Sequence, residues 1–191
     1  MKRVTKVIII TVAVILTFII GFVAYDRLTI NNKYSINEKN LKIPILVYHD
    51  IVESESEVEY DYMQTPKETF EKQITGLMKL GYKPISYEDL IAYKNGEEKI
   101  YKKSFLIVFD DGFDGVYQYA YPFAKEHNIP ITSFIINYCV GLDGYYTWDN
   151  AREMDKSGVV QIYSHSLKHD NYDTYSKEDL LEDVNTSIEQ I

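Results

Sequence analysis

Two polar segments of this sequence carry side chains that could do chemistry, and each directly follows an apolar run. Asp110 and Asp111 are adjacent carboxylates after the first run, and His165 and His169 form a histidine pair after the second. Reactive groups of α/β proteins collect at the carboxyl ends of parallel strands, where loops vary without disturbing the core. If both runs are such strands, the carboxylates and imidazoles meet at one edge of a sheet.

Adjacent carboxylates at the end of an apolar strand repel each other and carry a desolvation cost unless a cation or hydrogen bonds compensate them. A metal ion is the economical compensation, and Gly112 allows the backbone to turn sharply beside them. His165 and His169 face the same way if their stretch is helical, since they are four residues apart. One carboxylate with two imidazoles makes a facial triad, which leaves open positions for water and substrate.

Each segment also has a simpler interpretation by itself. Asp-Asp-Gly is most often a turn, and a histidine pair can belong to a solvated surface. The two segments together, each after a predicted buried strand, favour a metal site. Three residues are weaker candidates for substrate binding: His49 to line the site, and Tyr138 and Trp148 to offer ring faces to a sugar, although packing is the default role of aromatics.

The rest of the chain predicts the elements that position these residues. Buried strands are predicted at residues 43–48, 105–109, 131–136 and 159–163. Helices are predicted from Thr65 and Ser86, over residues 115–126 with a kink at Pro122, over residues 148–156, and from Ser176. Alternating strands and helices predict an α/β fold with a parallel sheet and helices packed outside it.

The N-terminus predicts a membrane segment. Residues 7–25 carry no charge and would span roughly 28 Å as a helix, close to the thickness of a bilayer core. Lys2, Arg3 and Lys6 precede this run, which places the remainder outside the cytoplasm. A cleaved signal peptide is the alternative, but bulky Phe22 stands where a small residue is wanted. We therefore expect a cytoplasmic tail (1–6), a single-pass anchor (7–25), a spacer (26–42) and an extracellular domain (43–191).

The composition bounds the partners. The 191 residues have a formal net charge of −9, and the part beyond the cationic N-terminus is more acidic still. This charge argues against nucleic acid as a partner. Cys139 is the single cysteine, so an intramolecular disulfide is impossible, and we expect it to be a small core residue.

The sequence resembles the NodB-type polysaccharide deacetylases, carbohydrate esterase family four, over roughly residues 43–191. The matching stretches are residues 44–49, 80–82, 109–112 and 164–169, together with Phe134, Trp148 and Ser157-Gly158. The resemblance implies a distorted (β/α) barrel and a metal-dependent hydrolysis of N-acetyl groups from an N-acetylglucosamine polymer of the cell wall or an exopolysaccharide. It also implies that Asp110 is the general base and that Asp111, His165 and His169 bind zinc, with cobalt, nickel and manganese as alternatives.

The sequence departs from the family's pattern in three places. Val108 stands where Thr or Ser is usual, and Asp170 where many members have Pro. The later Arg-Pro-Tyr-Gly-like and Leu-x-His segments, which help bind acetate and supply the general acid, have no counterpart before Ile191. We therefore expect an incomplete barrel, in a truncated chain that binds metal weakly and is nearly inactive alone. Two alternatives stay open: an O-acetyl esterase acting on a xylan-type glycan, and a membrane-held glycan-binding protein without turnover.

Overall fold

The protein has a central parallel sheet with helices packed against it, as the alternating strand and helix patterns predict. The computed structural model describes the backbone of residues 2–35, 40–60 and 62–191, and the side chains of these residues other than 2–14 and 30–32. The helices are α1 (Lys2–Lys33), α2 (Lys67–Lys79), α3 (Tyr87–Asn95), α4 (Tyr121–His127), α5 (Trp148–Lys156) and α6 (Lys177–Glu189). The strands are β1 (Tyr34–Ser35), β2 (Ile45–Tyr48), β3 (Asp50–Val52), β4 (Gln64–Pro66), β5 (Lys83–Pro84), β6 (Ile100–Tyr101), β7 (Ser104–Phe109), β8 (Ile131–Ile135) and β9 (Val160–Ser164).

The carboxyl ends of four strands lie side by side at one end of the central sheet. Its order is β2-β7-β8-β9, with β5 paired to the start of β7. Every pairing in this sheet is parallel, so all carboxyl ends point the same way. The loops after β2, β7, β8 and β9 therefore emerge side by side. Among the described strands the sheet stays open, with β2 and β9 at its edges.

The central strand β7 is apolar because both of its faces are covered. All of its residues are buried, and Phe105 and Phe109 pack in the core with Phe70 of α2. The prediction of a fully buried first strand is wrong for β2, because β2 lies at a sheet edge. Its residues Ile45 and Val47 are about half exposed, at 52% and 53%.

Helix starts follow the capping signals at two of the three predicted sites. Ser86 and Ser176 each accept a hydrogen bond from the backbone three residues on, within complete capping boxes. The predicted cap at Thr65 is wrong, because Thr65 belongs to β4 and pairs with Ile51. Helix α2 instead begins after Pro66, which has no side chain able to cap.

The predicted helix over residues 115–126 is divided into two parts. A π-helical turn covers Val116–Ala120, and α4 follows with Pro122 at its second position. A proline is tolerated in the first turn of an α-helix, where its missing N–H has no intrahelical partner. The expected kink is thus a change of helix type just before Pro122.

The N-terminal helix α1 extends beyond the predicted membrane segment. It includes residues 26–33 of the predicted spacer, and β1 then pairs with β6. Residues 36–39 of that spacer and the side chains of residues 7–14 lie outside the described residues. No helix in the described part of the chain has the length and hydrophobicity needed to cross a membrane.

One glycine next to the sheet edge has no room for a side chain. A Cβ at Gly115 would overlap the carbonyl oxygen of Ile51 and the carboxylate of Asp50. We expect Gly115→Ala to lower the free energy of unfolding by about 1–3 kcal/mol, the usual cost of overpacking. Gly76→Ala is the matched control, since a Cβ there meets nothing within 4 Å in the middle of α2. The control should raise stability by about 0.4–1 kcal/mol.

Urea unfolding of both variants measures this difference. Equal unfolding free energies for Gly115→Ala and the unchanged protein would contradict the close approach of these two backbone segments.

Candidate metal centre

The loop after β7 turns sharply as soon as it leaves the sheet. The N–H of Asp110 still donates to the carbonyl of Tyr48 at 2.9 Å, which extends the ladder between β2 and β7. Asp111 then adopts a left-handed backbone with φ of 72°, and Gly112 follows with φ of 91°. Positive φ is costly for a residue with a side chain. The turn directs the Asp111 carboxylate inward, where the residue is only 7% exposed.

The loop after β9 presents the two histidines without a helix. His165 is tied to the sheet, because its N–H donates to the carbonyl of Ile135 at 2.7 Å. Ser166 and His169 have φ of 74° and 61°, and the Ser166 hydroxyl accepts from the N–H of His169 at 2.8 Å. The segment is therefore not helical, and helix geometry is not what makes the two histidines face the same way. The loop turns bring the rings together instead, with centroids 5.0 Å apart.

Asp111, His165 and His169 converge on one point. The Asp111 Oδ1 atom lies 3.6 Å from Nε2 of His165 and 3.9 Å from Nε2 of His169. One ligand atom from each of the three residues lies within 4.8 Å of the others. Oδ1 is fully buried and accepts no hydrogen bond. A buried carboxylate oxygen without a hydrogen-bond partner raises the free energy of the folded state. The three ligand atoms therefore fit a divalent cation bound by one oxygen and two nitrogens.

Asp110 lies next to this cluster in a different electrostatic setting. Burial raises the pKa of its carboxyl group, and the neighbouring His165 and His49 oppose that rise. A carboxylate with a raised pKa holds a proton more firmly than an exposed one, which makes it a better base. Asp110 is half-buried and can therefore meet a water molecule or a substrate at the sheet edge.

The three weaker candidates lie in different places. His49 follows β2 and acts electrostatically on Asp110, so it lies beside the cluster. Tyr138 is 69% exposed, and its N–H donates to the carbonyl of Leu167 within the histidine loop. Trp148 instead packs against the core and lines a separate cavity of about 190 Å³ with Ile162 and the C-terminal residues.

Two residues beside the cluster were missed by sequence reasoning. Tyr172 lines an open cleft of about 510 Å³ together with both histidines. Asp183 of α6 is buried and accepts hydrogen bonds from Leu167 and Tyr172. The sequence signal for Asp183 is its position between Leu180 and Val184, two apolar residues of the helix predicted from Ser176.

The comparisons with known proteins agree with this geometry. A family model of the polysaccharide deacetylases matches residues 97–191. A Bacillus subtilis (strain 168) protein named as a polysaccharide deacetylase, YxkH, is 33% identical over 132 residues, covering 69% of this chain and 45% of that protein. The poly-β-1,6-N-acetyl-D-glucosamine N-deacetylase of Staphylococcus aureus (strain MRSA252) is 31% identical over 124 residues, covering 62% of this chain and 42% of the relative. The chain thus spans less than half the length of these two relatives.

A solved structure extends the likeness to the fold. The Streptococcus pyogenes deacetylase PplD in complex with acetate superposes with a TM-score of 0.68 at 26% identity, over 76% of this chain and 66% of that one. The resemblance inferred from the sequence motifs is therefore confirmed. The chain belongs to the polysaccharide deacetylase family.

Proposed function

We propose that this protein removes N-acetyl groups from an N-acetylglucosamine polysaccharide outside the cell, with a divalent metal ion at Asp111, His165 and His169. The observation that carries the proposal is the buried, unpartnered Oδ1 atom of Asp111 facing two imidazole nitrogens. The name of the Staphylococcus aureus relative, a poly-β-1,6-N-acetyl-D-glucosamine N-deacetylase, supports the substrate class.

The donor set supports a first-row transition ion. Imidazole and carboxylate suit zinc, and cobalt, nickel and manganese are the alternatives. When bound, such an ion supplies a polarised acyl carbonyl and a water molecule with a lowered pKa. The imidazoles of His165 and His169 can each contribute one nitrogen ligand, and the Asp111 carboxylate contributes one oxygen. The open cleft beside the histidines leaves room for water and substrate.

Asp110 takes the role of general base in this proposal. Its carboxylate accepts a proton from the attacking water, while the water oxygen forms a bond to the acetamide carbon. The carbon–nitrogen bond then breaks, releasing acetate and an amine, and the proton gained by Asp110 balances the one that the amine takes up. Burial raises the pKa of the Asp110 carboxyl, which favours its acceptance of the proton.

We expect the sugar chain to lie across the loops at the carboxyl ends of the strands. His49 beside Asp110 and the exposed ring of Tyr138 are the surfaces available to it there. Trp148 has less support for this role, since it lines a separate cavity.

Acetate release by the protein tests the proposal. We expect release from a β-1,6-linked N-acetylglucosamine oligomer with zinc or cobalt present, and loss of release after chelation. Acetylated xylan serves as the competing substrate. Release from acetylated xylan alone would establish the esterase alternative. If neither substrate released acetate while metal was bound, the proposed hydrolysis would be rejected.

We also propose an extracellular, membrane-held location. Its support is the uncharged run at residues 7–25 behind Lys2, Arg3 and Lys6. Protease added to intact cells should remove an epitope placed near Ile191. Full protection of that epitope, with loss after cell lysis, would reject this location.

A further inference from the structure

A single buried carboxylate on α6 holds the histidine loop from behind. Asp183 is only 4% exposed. Its Oδ1 atom accepts a hydrogen bond from the N–H of Leu167 at 3.0 Å and another from the hydroxyl of Tyr172 at 2.7 Å. Leu167 is the midpoint of the segment between His165 and His169. One oxygen atom therefore fixes both the middle of the loop and the tyrosine that lines the cleft beside it.

The loop depends on such external anchors because its backbone is not regular. Ser166 and His169 both have positive φ, a conformation that residues with side chains adopt only when their surroundings impose it. On the opposite side, the N–H groups of Asn137 and Tyr138 donate to the carbonyls of Ser166 and Leu167, at 3.3 and 2.9 Å. The loop is thus held between a turn after β8 and the helix α6.

The same helix also fixes the turn after β8. The side-chain amide of Asn137 donates to the carbonyl of Ser187 at 2.8 Å and to Oε1 of Gln190 at 3.2 Å. Ser187 is buried on the same face of α6 as Asp183, one helical turn later. Helix α6 presents this polar face inward, whereas Leu181 and Ile188 are 51% and 62% exposed. Its inward face is therefore suited to position loops by hydrogen bonds.

We propose that Asp183 is a positioning residue for the two histidine ligands, and that Tyr172 shares this function through its hydroxyl. The proposal rests on the proposed metal site. Asp183 does not touch the metal position; it fixes the loop through the Leu167 amide. Without this acceptor, the Leu167 N–H loses its partner and the loop gains conformations in which His165 and His169 no longer converge. Metal affinity then falls because the site must be ordered on binding.

Cobalt titration of the full chain, followed by visible absorption, measures this effect. We expect Asp183→Ala to raise the Kd for cobalt by about tenfold or more, the range found for residues that support metal ligands. Asp183→Asn keeps an acceptor oxygen, so it should retain most of the affinity. Glu182→Gln is the matched control: it removes a negative charge from the neighbouring exposed position of α6 and should leave the Kd unchanged.

Hydrogen exchange of the Leu167 amide, measured by NMR without metal, reports the loop directly. We expect faster exchange in Asp183→Ala and in Tyr172→Phe. Exchange in Glu182→Gln should be normal, and the melting temperature should be unchanged. If Asp183→Ala does not fold, Tyr172→Phe carries the test by the same two measurements, since Asp183→Asn keeps the acceptor. Unchanged cobalt affinity and unchanged Leu167 exchange in Asp183→Ala, or in Tyr172→Phe where Asp183→Ala does not fold, would overturn the proposal. Absence of cobalt binding by the unaltered protein would reject the metal site, while the exchange data would still decide whether Asp183 holds the loop.

Discussion

Replacing Asp110 with asparagine is expected to lower kcat for acetate release by about 10²–10⁴-fold, the usual contribution of a general base. The amide has nearly the same shape as the carboxylate but accepts no proton at neutral pH. The backbone hydrogen bond from Asp110 to Tyr48 does not involve the side chain, so β7 and its turn should keep their geometry. Metal content should therefore stay at the level of the unaltered protein. The measurement is kcat on an N-acetylglucosamine oligomer, together with bound metal after dialysis.

Asp114→Asn is the control for this prediction, because it makes the same chemical change four residues further along the same loop. Burial raises the pKa of the Asp114 carboxyl as it does that of Asp110. Asp114 therefore tests whether any partly buried carboxylate of the loop would give the same loss. Comparable losses in the two variants would contradict a specific role for Asp110, and full activity in Asp110→Asn would exclude it as the base.

Much of the fold could be predicted because local signals and tertiary contacts agree. The wholly apolar residues 105–109 match a strand covered on both faces, and β7 is entirely buried. The capping boxes at Ser86 and Ser176 and the glycine after α3 depend on nearby hydrogen bonds, which the sequence contains in full. The parallel order of the sheet follows from the alternation of strands and helices.

The errors occur where distant partners decide the structure. Thr65 has the right neighbours for a helix cap, but pairing with Ile51 draws it into β4. The strand β2 has the composition of a buried strand, yet its position at the sheet edge leaves Val47 half exposed. In α6 the apolar residues Leu181 and Ile188 are exposed, and the structure buries Asp183 and Ser187. Those polar residues are satisfied by loops far away in sequence, which no local pattern contains.

Residue types and positions predict a metal site here, but they do not predict its geometry. Two carboxylates and two histidines follow two apolar runs, and the resemblance to the family implies that Asp111 is the carboxylate ligand. The structure brings Asp111, His165 and His169 together. The segment between the histidines is not helical, and two residues with a left-handed backbone give the convergence instead. Positive φ at Ser166 and His169 has no signature in the sequence, because neither residue type prefers that conformation. It results from the hydrogen bonds that Asn137, Tyr138 and Asp183 make with the loop.

Replacing either histidine of the cluster with alanine is expected to abolish stoichiometric metal binding. His165→Ala or His169→Ala leaves one imidazole and one carboxylate, which is one ligand short of the three that catalytic sites usually supply. We expect Kd for zinc or cobalt to rise by more than about 100-fold, beyond the range reached by changes to supporting residues. The side chain of His169 is more exposed than that of His165, at 58% against 33%. We nevertheless expect both variants to lose metal binding, since both Nε2 atoms lie within 4 Å of the same Asp111 oxygen.

His127→Ala provides the control for the histidine variants. His127 ends α4, where its ring packs against Phe123 and its Nδ1 atom lies 3.0 Å from the carbonyl of the same residue. It shares the chemistry of the ligands but lies on a different element from all three. Metal content after dialysis should therefore stay at the unaltered level in His127→Ala and fall to background in the other two. Equal metal content in all three variants would remove the site from Asp111, and its buried oxygen would then require another partner. Loss of metal in only one ligand variant would mean that two protein ligands suffice, which would leave more of the coordination to water.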